Sequence, residues 1–356
     1  MEQLLLDSIL DTGLITTDRL DDSAVAGPLF SIRRKSDFSG LNRGQGSMNL
    51  INKQENATID NKHIPVMLKE VIEYLKLQPG HVIVDATVGL GGHSEKILEG
   101  ILPGGSLIAI DRDEGSLKLA EQRLSKFKKS CHFLQGSFSD IDLLLNGLNI
   151  KKVDGILIDL GVSSYQLDDP QRGFSFQREG PLDMRMDKNS YISAYDLVNN
   201  LNEEEISQML WTFGQERWSR RIAKIIVQER ELAPISSTSQ LADIVIRAIP
   251  HRFRHQYHRI HPATRTFQAM RIAVNRELEV LEAVLDKGIQ LLNKGGRICV
   301  ISFHSLEDRI VKHKFRQAAS DGLLEIITRK PQTPFDSEIT VNPSSRSAKL
   351  RVAERI

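Results

Sequence analysis

Short apolar runs alternate with longer amphipathic stretches from about residue 63 onward. The apolar runs that we interpret as strands are His81–Asp85, Ser106–Asp111, Cys131–Leu134 and Val153–Asp159. Between them, Ser94–Leu98 and Ser116–Leu124 carry apolar residues at helical spacing. Near-continuous apolar strands that alternate with helices are typical of a parallel sheet covered on both faces. The pattern therefore predicts an α/β domain.

The pattern changes after about Gln166, where strand character ends and helical periodicity continues alone. The helical stretches of this region are Ala194–Leu201, Glu203–Phe213, Arg220–Glu229 and Ser239–Ala248. Strand character returns at Arg297–Phe303, and the basic C-terminal segment ends in a predicted edge strand. We therefore predict an α/β domain of residues 61–166 and 281–356, interrupted by a helical insertion of residues 167–280.

Composition distinguishes a globular region from a polar N-terminal segment. Hydrophobic residues make up 40% of the chain and charged residues 26%, which is ordinary globular usage. Residues 1–60 are instead rich in Asp, Ser, Asn and Gly, which predicts a flexible N-terminal extension. No run approaches the roughly 18 apolar residues that a membrane-spanning helix needs, so we expect a soluble protein without membrane contact.

The cysteines and the net charge limit the possible compartment and partners of the protein. Cys131 and Cys299 cannot make a disulfide framework and lack the CxxC spacing of a zinc site. The apolar stretch Leu4–Leu6 is stopped by Asp7, so we predict no signal peptide and a cytoplasmic protein. Lys and Arg total 47 against 46 Asp and Glu. Because the net charge is close to zero, any nucleic-acid partner must depend on local basic clusters.

A glycine-rich turn between the first strand and the next helix is the strongest local signal. Gly89, Gly91 and Gly92 follow Asp85 there, and glycine lets a ligand approach the backbone closely. The next strand ends in Asp111, where an acid can accept hydrogen bonds from ribose hydroxyls. The glycines do not spell G-x-G-x-x-G, and a carboxylate beside the turn suits a cationic ligand, which favours S-adenosylmethionine over NAD. A purely structural turn is the alternative.

Further motifs follow one another along the chain from residue 63 to residue 355. They are His63–Val66 (HIPV), Asp159–Ser164 (DLGVSS), Arg172–Phe176 (RGFSF), Gly180–Asp187 (GPLDMRMD), His261–Gln268 (HPATRTFQ) and Ser302–Arg309 (SFHSLEDR). In these motifs the chain resembles the RsmH (MraW) family, bacterial methyltransferases that act on cytosine N4 in 16S ribosomal RNA. The resemblance implies a class I S-adenosylmethionine-dependent methyltransferase with a Rossmann-like sheet, and an insertion that recognises RNA.

The resemblance also implies roles for individual residues. The implied cofactor-binding residues are Gly91, Gly92, His93, Asp111, Phe138, Asp159 and Gln166. Of these, Asp111 would bind the ribose and Phe138 would lie against the adenine. Tyr165 stands where many relatives carry proline, which puts the rigidity of its loop in question.

Asp159 is also our candidate catalytic residue, because it ends the fourth predicted strand. The exocyclic amine of cytosine is a poor nucleophile, so its site should offer an acceptor to the N–H. A contact to the cofactor alone is the alternative role. The chain has Asp-Leu-Gly-Val where many amino-methyltransferases carry Asp/Asn-Pro-Pro-aromatic, which leaves the details of the mechanism open. Carbon-5 methylation is disfavoured because its cysteine nucleophile would have to be Cys131 or Cys299, both in apolar strands.

The stretch from His251 to Arg276 has no acidic residue and interleaves arginines with aromatic residues, which suits an RNA surface. The candidate RNA contacts are Arg254, Arg259, Arg265 and Arg271. A solvated helix face is the alternative, and the histidines of this stretch lack the cysteine or carboxylate that would predict a metal site.

The segment Arg172–Asp187 mixes arginines and aspartates with glycines and two phenylalanines. It is either a structural loop tied by ion pairs or a lid over the target base, with Phe174 or Phe176 stacking on it.

The expected function is methyl transfer to N4 of a cytidine in the decoding region of small-subunit RNA. The partner would be that RNA or the 30S particle. A methyltransferase with a different RNA or protein acceptor, and a non-catalytic RNA-binding or assembly factor, are the two alternatives. The choice between a monomer and a homodimer stays open.

Overall fold

The computed structural model of this chain describes residues 64–254 and 260–356. The predicted flexible extension, residues 1–60, lies outside the described residues, and so does the candidate RNA contact Arg259.

A seven-stranded sheet forms the α/β part. Its strands are β1 Val82–Asp85, β2 Ser106–Asp111, β3 Cys131–Gln135, β4 Val153–Asp159, β5 Leu292–Ser302, β6 Leu324–Ile326 and β7 Lys349–Arg355. The spatial order is β3-β2-β1-β4-β5-β7-β6. Strands β1 to β5 are parallel, whereas β7 runs antiparallel to both of its neighbours. This topology confirms the predicted fold class, a class I methyltransferase sheet.

The last strand is not at the edge of the sheet, so that prediction was wrong. β7 lies between β5 and the short strand β6, which forms the edge. The basic residues of β7 suggested an exposed position, but Arg351 Nε donates to Asp308 Oδ1 over 2.6 Å. Because the ion pair neutralises the guanidinium, Arg351 is only 7% exposed inside the sheet. The three residues of β6 are too few to give a strand signal in the sequence.

The helices are, in chain order, α1 Leu68–Leu75, α2 Gly92–Ile101, α3 Glu114–Arg123, α4 Ile141–Gly147, α5 Ser164–Asp168, α6 Ala194–Asn200, α7 Glu203–Gly214, α8 Ser219–Leu232, α9 Thr238–Ala248, α10 His251–Arg254, α11 Thr264–Asn275, α12 Glu277–Leu291, α13 Ser305–Ser320 and α14 Asp336–Val341. In the described ranges, no helix has the length and apolar character that crossing a membrane requires.

Both faces of the sheet are buried. On one face, Val84 and Ile156 pack in a cluster with Leu285 of α12 and Phe315 of α13. On the other face, Ile83 packs with residues of α1 and α2 in a second cluster. Successive strand residues point to opposite faces, so a sheet covered on both sides needs an apolar residue at nearly every position. This requirement explains the near-continuous apolar runs in the sequence.

Helices α6 to α11 surround a third hydrophobic core, which includes Leu210, Ile226, Val245 and Met270. Helices α6, α7 and α9 each begin with a capping box, in which a side chain at the N-terminus and one three residues later bond to each other's backbone N–H. Within 167–254 and 260–280, β pairing is limited to an isolated bridge between Pro181 and Ser237. The helical character of the insertion agrees with the sequence, and the domain boundaries stay a prediction.

Candidate active site

The glycine-rich turn joins β1 to α2 at the carboxyl edge of the sheet. Gly89 has φ of 51° and Gly91 has φ of 78°, a left-handed conformation that glycine adopts without strain. A Cβ on Gly92 would lie 2.3 Å from Cγ of Pro65, so the start of α2 packs directly on the HIPV segment. Gly92 therefore lets the backbone close up where a side chain would not fit, and Gly89 and Gly91 supply the left-handed conformation of the turn.

Asp111 holds this turn from the neighbouring strand. The Gly89 N–H donates to Asp111 Oδ2 and the Asp113 N–H donates to Asp111 Oδ1, each over 2.9 Å. Burial raises the pKa of Asp111 to about 6. The residue is still partly exposed, and each carboxylate oxygen can accept more than one hydrogen bond. Asp111 can therefore hold the turn and accept from ribose hydroxyls at the same time.

Asp85 also stabilises the glycine-rich turn. Its carboxylate accepts from the Ser94 hydroxyl over 2.6 Å and from the Thr87 N–H over 3.3 Å. Burial raises the pKa of Asp85 to about 6, although these hydrogen bonds act in the opposite direction. The sequence places Asp85 beside the turn, and the structure shows that it fixes the start of α2.

Asp159, our candidate catalytic residue, ends β4 at the same edge of the sheet. Its Oδ1 atom is buried and has no hydrogen-bond partner among the described residues. Its Oδ2 atom lies 3.8 Å from Nδ1 of His93, and its N–H donates to the Thr87 hydroxyl over 2.7 Å. Burial, together with the charges of Asp85 and Glu307, raises the pKa of Asp159 well above its usual value. A buried carboxylate oxygen without a partner is costly, so this atom is the strongest sign of a ligand site.

His93 lies at the start of α2, where its side chain is 7% exposed. Its Nε2 atom is 2.9 Å from the carbonyl oxygen of Val66. Since a carbonyl can only accept, Nε2 carries the proton of that bond, and Nδ1 is the ring nitrogen that faces Asp159. The HIPV motif thereby sets the orientation of a predicted cofactor residue.

Gln166 is buried in α5, the short helix after β4, where its side chain completes a capping box with Ser163. Its Nε2 atom donates to Asp113 Oδ2 over 2.9 Å. Asp113 in turn donates its N–H to Asp111. Gln166 therefore connects the β4 loop to the predicted ribose site through Asp113, a residue that the sequence did not single out.

Phe138 follows β3, next to a second residue that sequence reasoning missed. The Arg112 guanidinium carbon lies 5.5 Å from the centre of the Phe138 ring. Arg112 also donates to the Ser137 hydroxyl over 2.6 Å and to the carbonyl of Asn275 over 3.1 Å. A cavity of about 780 Å³, lined by Arg112, Ser137 and Asn275 among others, opens between this sheet edge and the insertion. The position of Arg112 directly after Asp111 was the available signal.

The geometry gathers the glycine turn and several carboxylates at one edge of a methyltransferase sheet, and sequence comparison agrees with it. The profile of the MraW methylase family matches residues 60–356. The chain belongs to the MraW methylase family. This match confirms two predictions from the sequence, the family and the class of enzyme. Together with the class I sheet, it also confirms S-adenosylmethionine as the methyl donor.

Curated relatives of this MraW methylase are similar over most of its length. Ribosomal RNA small subunit methyltransferase H of Trichlorobacter lovleyi is 50% identical over 309 residues, covering 83% of this chain and 98% of that protein. The protein of the same name from Sulfurihydrogenibium sp. is 51% identical over 295 residues, covering 83% of this chain and 99% of that protein. Among solved structures, TrmN from Thermus thermophilus has a TM-score of 0.39 and 11% identity, covering 82% of this chain and 48% of that chain.

The segment Arg172–Asp187 of this MraW methylase makes the contacts of a structural loop. Arg172 is buried and pairs with Asp113, and it also donates to the carbonyls of Arg185 and Met186 over 2.9 Å each. Phe174 is 7% exposed in the core of the insertion. The ring of Phe176 stacks on His261, with centroids 4.4 Å apart. These contacts favour the loop interpretation over a lid, because packing occupies both rings.

A charged cluster that the sequence did not predict lies where the insertion meets the sheet. Arg271 binds both carboxylate oxygens of Glu277, over 2.8 and 2.9 Å. Glu277, His304 and Glu307 each place one potential metal-ligand atom within 4.8 Å of the others. Because Arg271 already neutralises Glu277, the cluster fits an ion-paired junction better than a cation site. The SFHSLEDR motif supplies His304 and Glu307, but their partners Arg271 and Glu277 lie about 30 residues earlier, so the motif alone does not predict this junction.

The candidate RNA arginines that the structure describes, Arg254, Arg265 and Arg271, each bond to another group of the protein. Arg254 donates to the carbonyl of Ile249 over 3.1 Å, and Arg265 donates to the carbonyl of Gln215 over 3.2 Å. Arg271 is held by Glu277. Their role in RNA binding stays a prediction.

Both cysteines are buried and without a disulfide. Burial raises the pKa of Cys131 and of Cys299 to about 12. Since the thiolate is the nucleophile, these values support the sequence argument against carbon-5 methylation.

Proposed function

We propose that the protein transfers a methyl group from S-adenosylmethionine to N4 of a cytidine in the decoding region of small-subunit ribosomal RNA. The observation that carries the proposal is the buried, unpartnered Oδ1 atom of Asp159 beside the glycine turn. Relatives named ribosomal RNA small subunit methyltransferase H support the choice of acceptor.

The residues at the sheet edge fit this cofactor. S-adenosylmethionine carries a positive sulfur and an ammonium group, and it supplies an activated methyl group when bound. Asp85, Asp111 and Asp159 offer carboxylates at adjacent strand ends, and buried carboxylates favour a cation. We assign the methionine end to Gly91, Gly92 and His93, the ribose to Asp111 and the adenine to Phe138. Asp159 and Gln166 complete the pocket.

In the proposed reaction Asp159 acts on the acceptor amine. The amine lone pair is delocalised into the cytosine ring, so an acceptor for one N–H helps to orient it toward the methyl group. Methylation replaces one N–H bond with N–CH₃ and releases a proton, for which Asp159 Oδ1 is the available acceptor. His93 lies next to the same carboxylate, with its Nδ1 atom 3.8 Å from Oδ2.

The insertion would hold the RNA. We retain Arg254, Arg259, Arg265 and Arg271 as candidate contacts, and Arg271 would bind RNA only if its bond to Glu277 is broken. Since small subunits are assembled in the cytoplasm, the protein would act there, on free RNA or on the 30S particle, as a monomer or a homodimer.

The test is nucleoside mass spectrometry on small-subunit RNA and 30S particles from a strain that lacks the enzyme. The substrates are incubated with the protein and labelled cofactor, and N4-methylcytidine should appear. Label in another nucleoside or in protein would favour a different acceptor. Calorimetry without measurable S-adenosylmethionine binding would instead favour a non-catalytic RNA-binding factor.

A further inference from the structure

Basic side chains without carboxylate partners line the exposed side of α8 at its beginning. Arg217, Arg220, Arg221 and Lys224 are all exposed. The last three lie in the first two turns of α8 at helical spacing, which places them on one side of the helix, and Arg217 precedes the helix by two residues. None of the four forms an ion pair with another residue of 64–254 or 260–356. We call this set, together with the exposed Arg252 of α10, the α8 face.

The nearest acid in sequence does not neutralise this surface. Glu216 is fully buried and accepts a hydrogen bond from the Trp218 N–H over 2.9 Å. Burial raises the pKa of Glu216, although the charges of Arg265 and Arg217 act against the increase. The α8 face therefore keeps an excess of positive charge.

Aromatic rings hold two of the arginines of this face in place. The Arg217 guanidinium carbon lies 4.9 Å from the Trp218 ring centre and 5.0 Å from that of Phe253. Arg252 lies 4.8 Å from the same Phe253 ring. The two rings are 5.1 Å apart. Because stacking uses the flat side of a guanidinium, the N–H groups at its edge remain available to a ligand.

We propose that the α8 face binds the phosphate backbone of the RNA substrate. Like charges on neighbouring positions repel one another, and a row of phosphates supplies the counter-charge. Guanidinium groups already fixed on aromatic rings lose less conformational freedom when they bind a phosphate in a bidentate manner. These features favour RNA over an acidic protein surface. The inference rests on the proposed function, because it takes RNA as the substrate.

The location differs from the one that the acid-free stretch of the sequence indicated. Arg265 donates to the carbonyl of Gln215, and Arg271 is paired with Glu277. Arg217, Arg220 and Arg221 precede that stretch, and none of them pairs with an acid among the residues that the structure describes. The two regions meet at Phe253, which lies in the acid-free stretch and contacts Arg217.

The test compares two variants that each lose two positive charges. Arg220→Ala/Arg221→Ala removes charge from the α8 face. Lys128→Ala/Lys129→Ala removes it from an exposed turn before β3, which is an edge strand of the sheet. The Kd for a fluorescent RNA fragment of the decoding region is measured against salt concentration. The α8 variant should lower the slope of log K against log salt by about 2, while the control variant keeps the wild-type slope.

Two further measurements separate RNA contact from misfolding. Calorimetry should give both variants the wild-type affinity for S-adenosylmethionine, and the α8 variant should raise KM for RNA with kcat unchanged. Arg217→Lys keeps the charge but loses the planar group, so it should weaken RNA binding without changing the salt slope.

An unchanged slope for the α8 variant would overturn the proposal. Equal binding of poly-aspartate and RNA at matched charge and salt would also overturn it, in favour of an acidic protein partner. A failure of the proposed function would give a different result. Mass spectrometry would then find another methylated product, while the α8 variant would still lose RNA affinity.

Discussion

Arg172 and Asp113 form an ion pair that is almost completely buried, with side chains 3% and 5% exposed. Arg172 belongs to the segment that leads into the insertion, whereas Asp113 begins α3 beside the sheet. The Asp113 N–H also donates to Asp111. The pair therefore links the insertion to the predicted ribose site through one intermediate residue.

Replacing Arg172 should destabilise the protein strongly. Arg172→Ala leaves the Asp113 carboxylate buried without its cation, and such losses cost about 3–5 kcal/mol. Urea unfolding should show this decrease in the free energy of unfolding. Arg178→Ala is the control, because Arg178 is exposed in the same segment and donates only to the Asp168 carbonyl. Equal losses for the two variants would contradict a structural role of the pair.

Asp111→Ala should weaken S-adenosylmethionine binding. The loss of charged hydrogen bonds to the ribose costs about 1.5–3 kcal/mol, which is roughly a 10- to 150-fold increase in Kd. Calorimetry measures the change directly. Glu121→Ala on α3 removes an exposed carboxylate and should leave Kd unchanged. Wild-type affinity of the Asp111 variant would show that the ribose assignment is wrong.

Binding of the cofactor should release protons near pH 6. Burial raises the pKa of Asp85 and of Asp111 to about 6, and that of Asp159 is also raised. A bound cation favours the ionised carboxylates, so affinity should increase as pH rises through about 6. Calorimetry in two buffers of different ionisation enthalpy counts the protons. S-adenosylhomocysteine lacks the sulfonium charge and should release fewer, so equal release by both ligands would refute the argument.

Asp85→Asn should flatten the pH dependence of stability. Burial raises the pKa of Asp85 from 3.8, its ordinary value in the unfolded chain, to about 6 in the folded state. Its contribution to stability is therefore fully present below pH 3.8 and is lost as pH rises toward 6. One pKa unit corresponds to about 1.4 kcal/mol, so the loss approaches about 3 kcal/mol. Urea unfolding of the ligand-free protein at pH 4 and pH 7 should show a smaller decline for the variant than for wild type.

Asp159→Asn should lower kcat by about 10²- to 10⁴-fold, the range of a lost general base. The amide keeps the volume of the side chain but is a poor proton acceptor. Steady-state kinetics on RNA substrate measure the change, and Asp168→Asn provides an exposed control in the nearby helix α5. If Asp159→Asn raised only the Kd for S-adenosylmethionine and left kcat intact, Asp159 would be a cofactor residue alone.

The pattern of hydrophobic and polar residues was sufficient to predict most of the secondary structure. The predicted ranges of β2 and β4 match the structure, and the four predicted helices of the insertion differ from it by a few residues at their ends, whereas α10 and α11 were not predicted. These elements follow from periodicity, which depends only on neighbours in sequence. β6 was missed because three residues provide no period.

The candidate cofactor site was predicted only in part. The positions of Asp85, Asp111 and Asp159 follow from the sequence, because parallel strands bring their carboxyl ends to one edge. Asp113 and Arg112 gave no comparable signal. Their partners, Arg172 and Asn275, are distant in sequence, and only the folded chain brings them within hydrogen-bond range.

By itself, the sequence determined most of the sheet strands, the glycine turn, the helical character of the insertion and the resemblance to a methyltransferase family. The tertiary structure decided which charges are neutralised. Arg271 looked available for RNA but binds Glu277, whereas Arg220 and Arg221 lie exposed and pair with no acid in the part of the chain that the structure describes. The reason is that a charge is neutralised by whichever group lies within a few ångströms in space, and such partners come from separate elements of the fold.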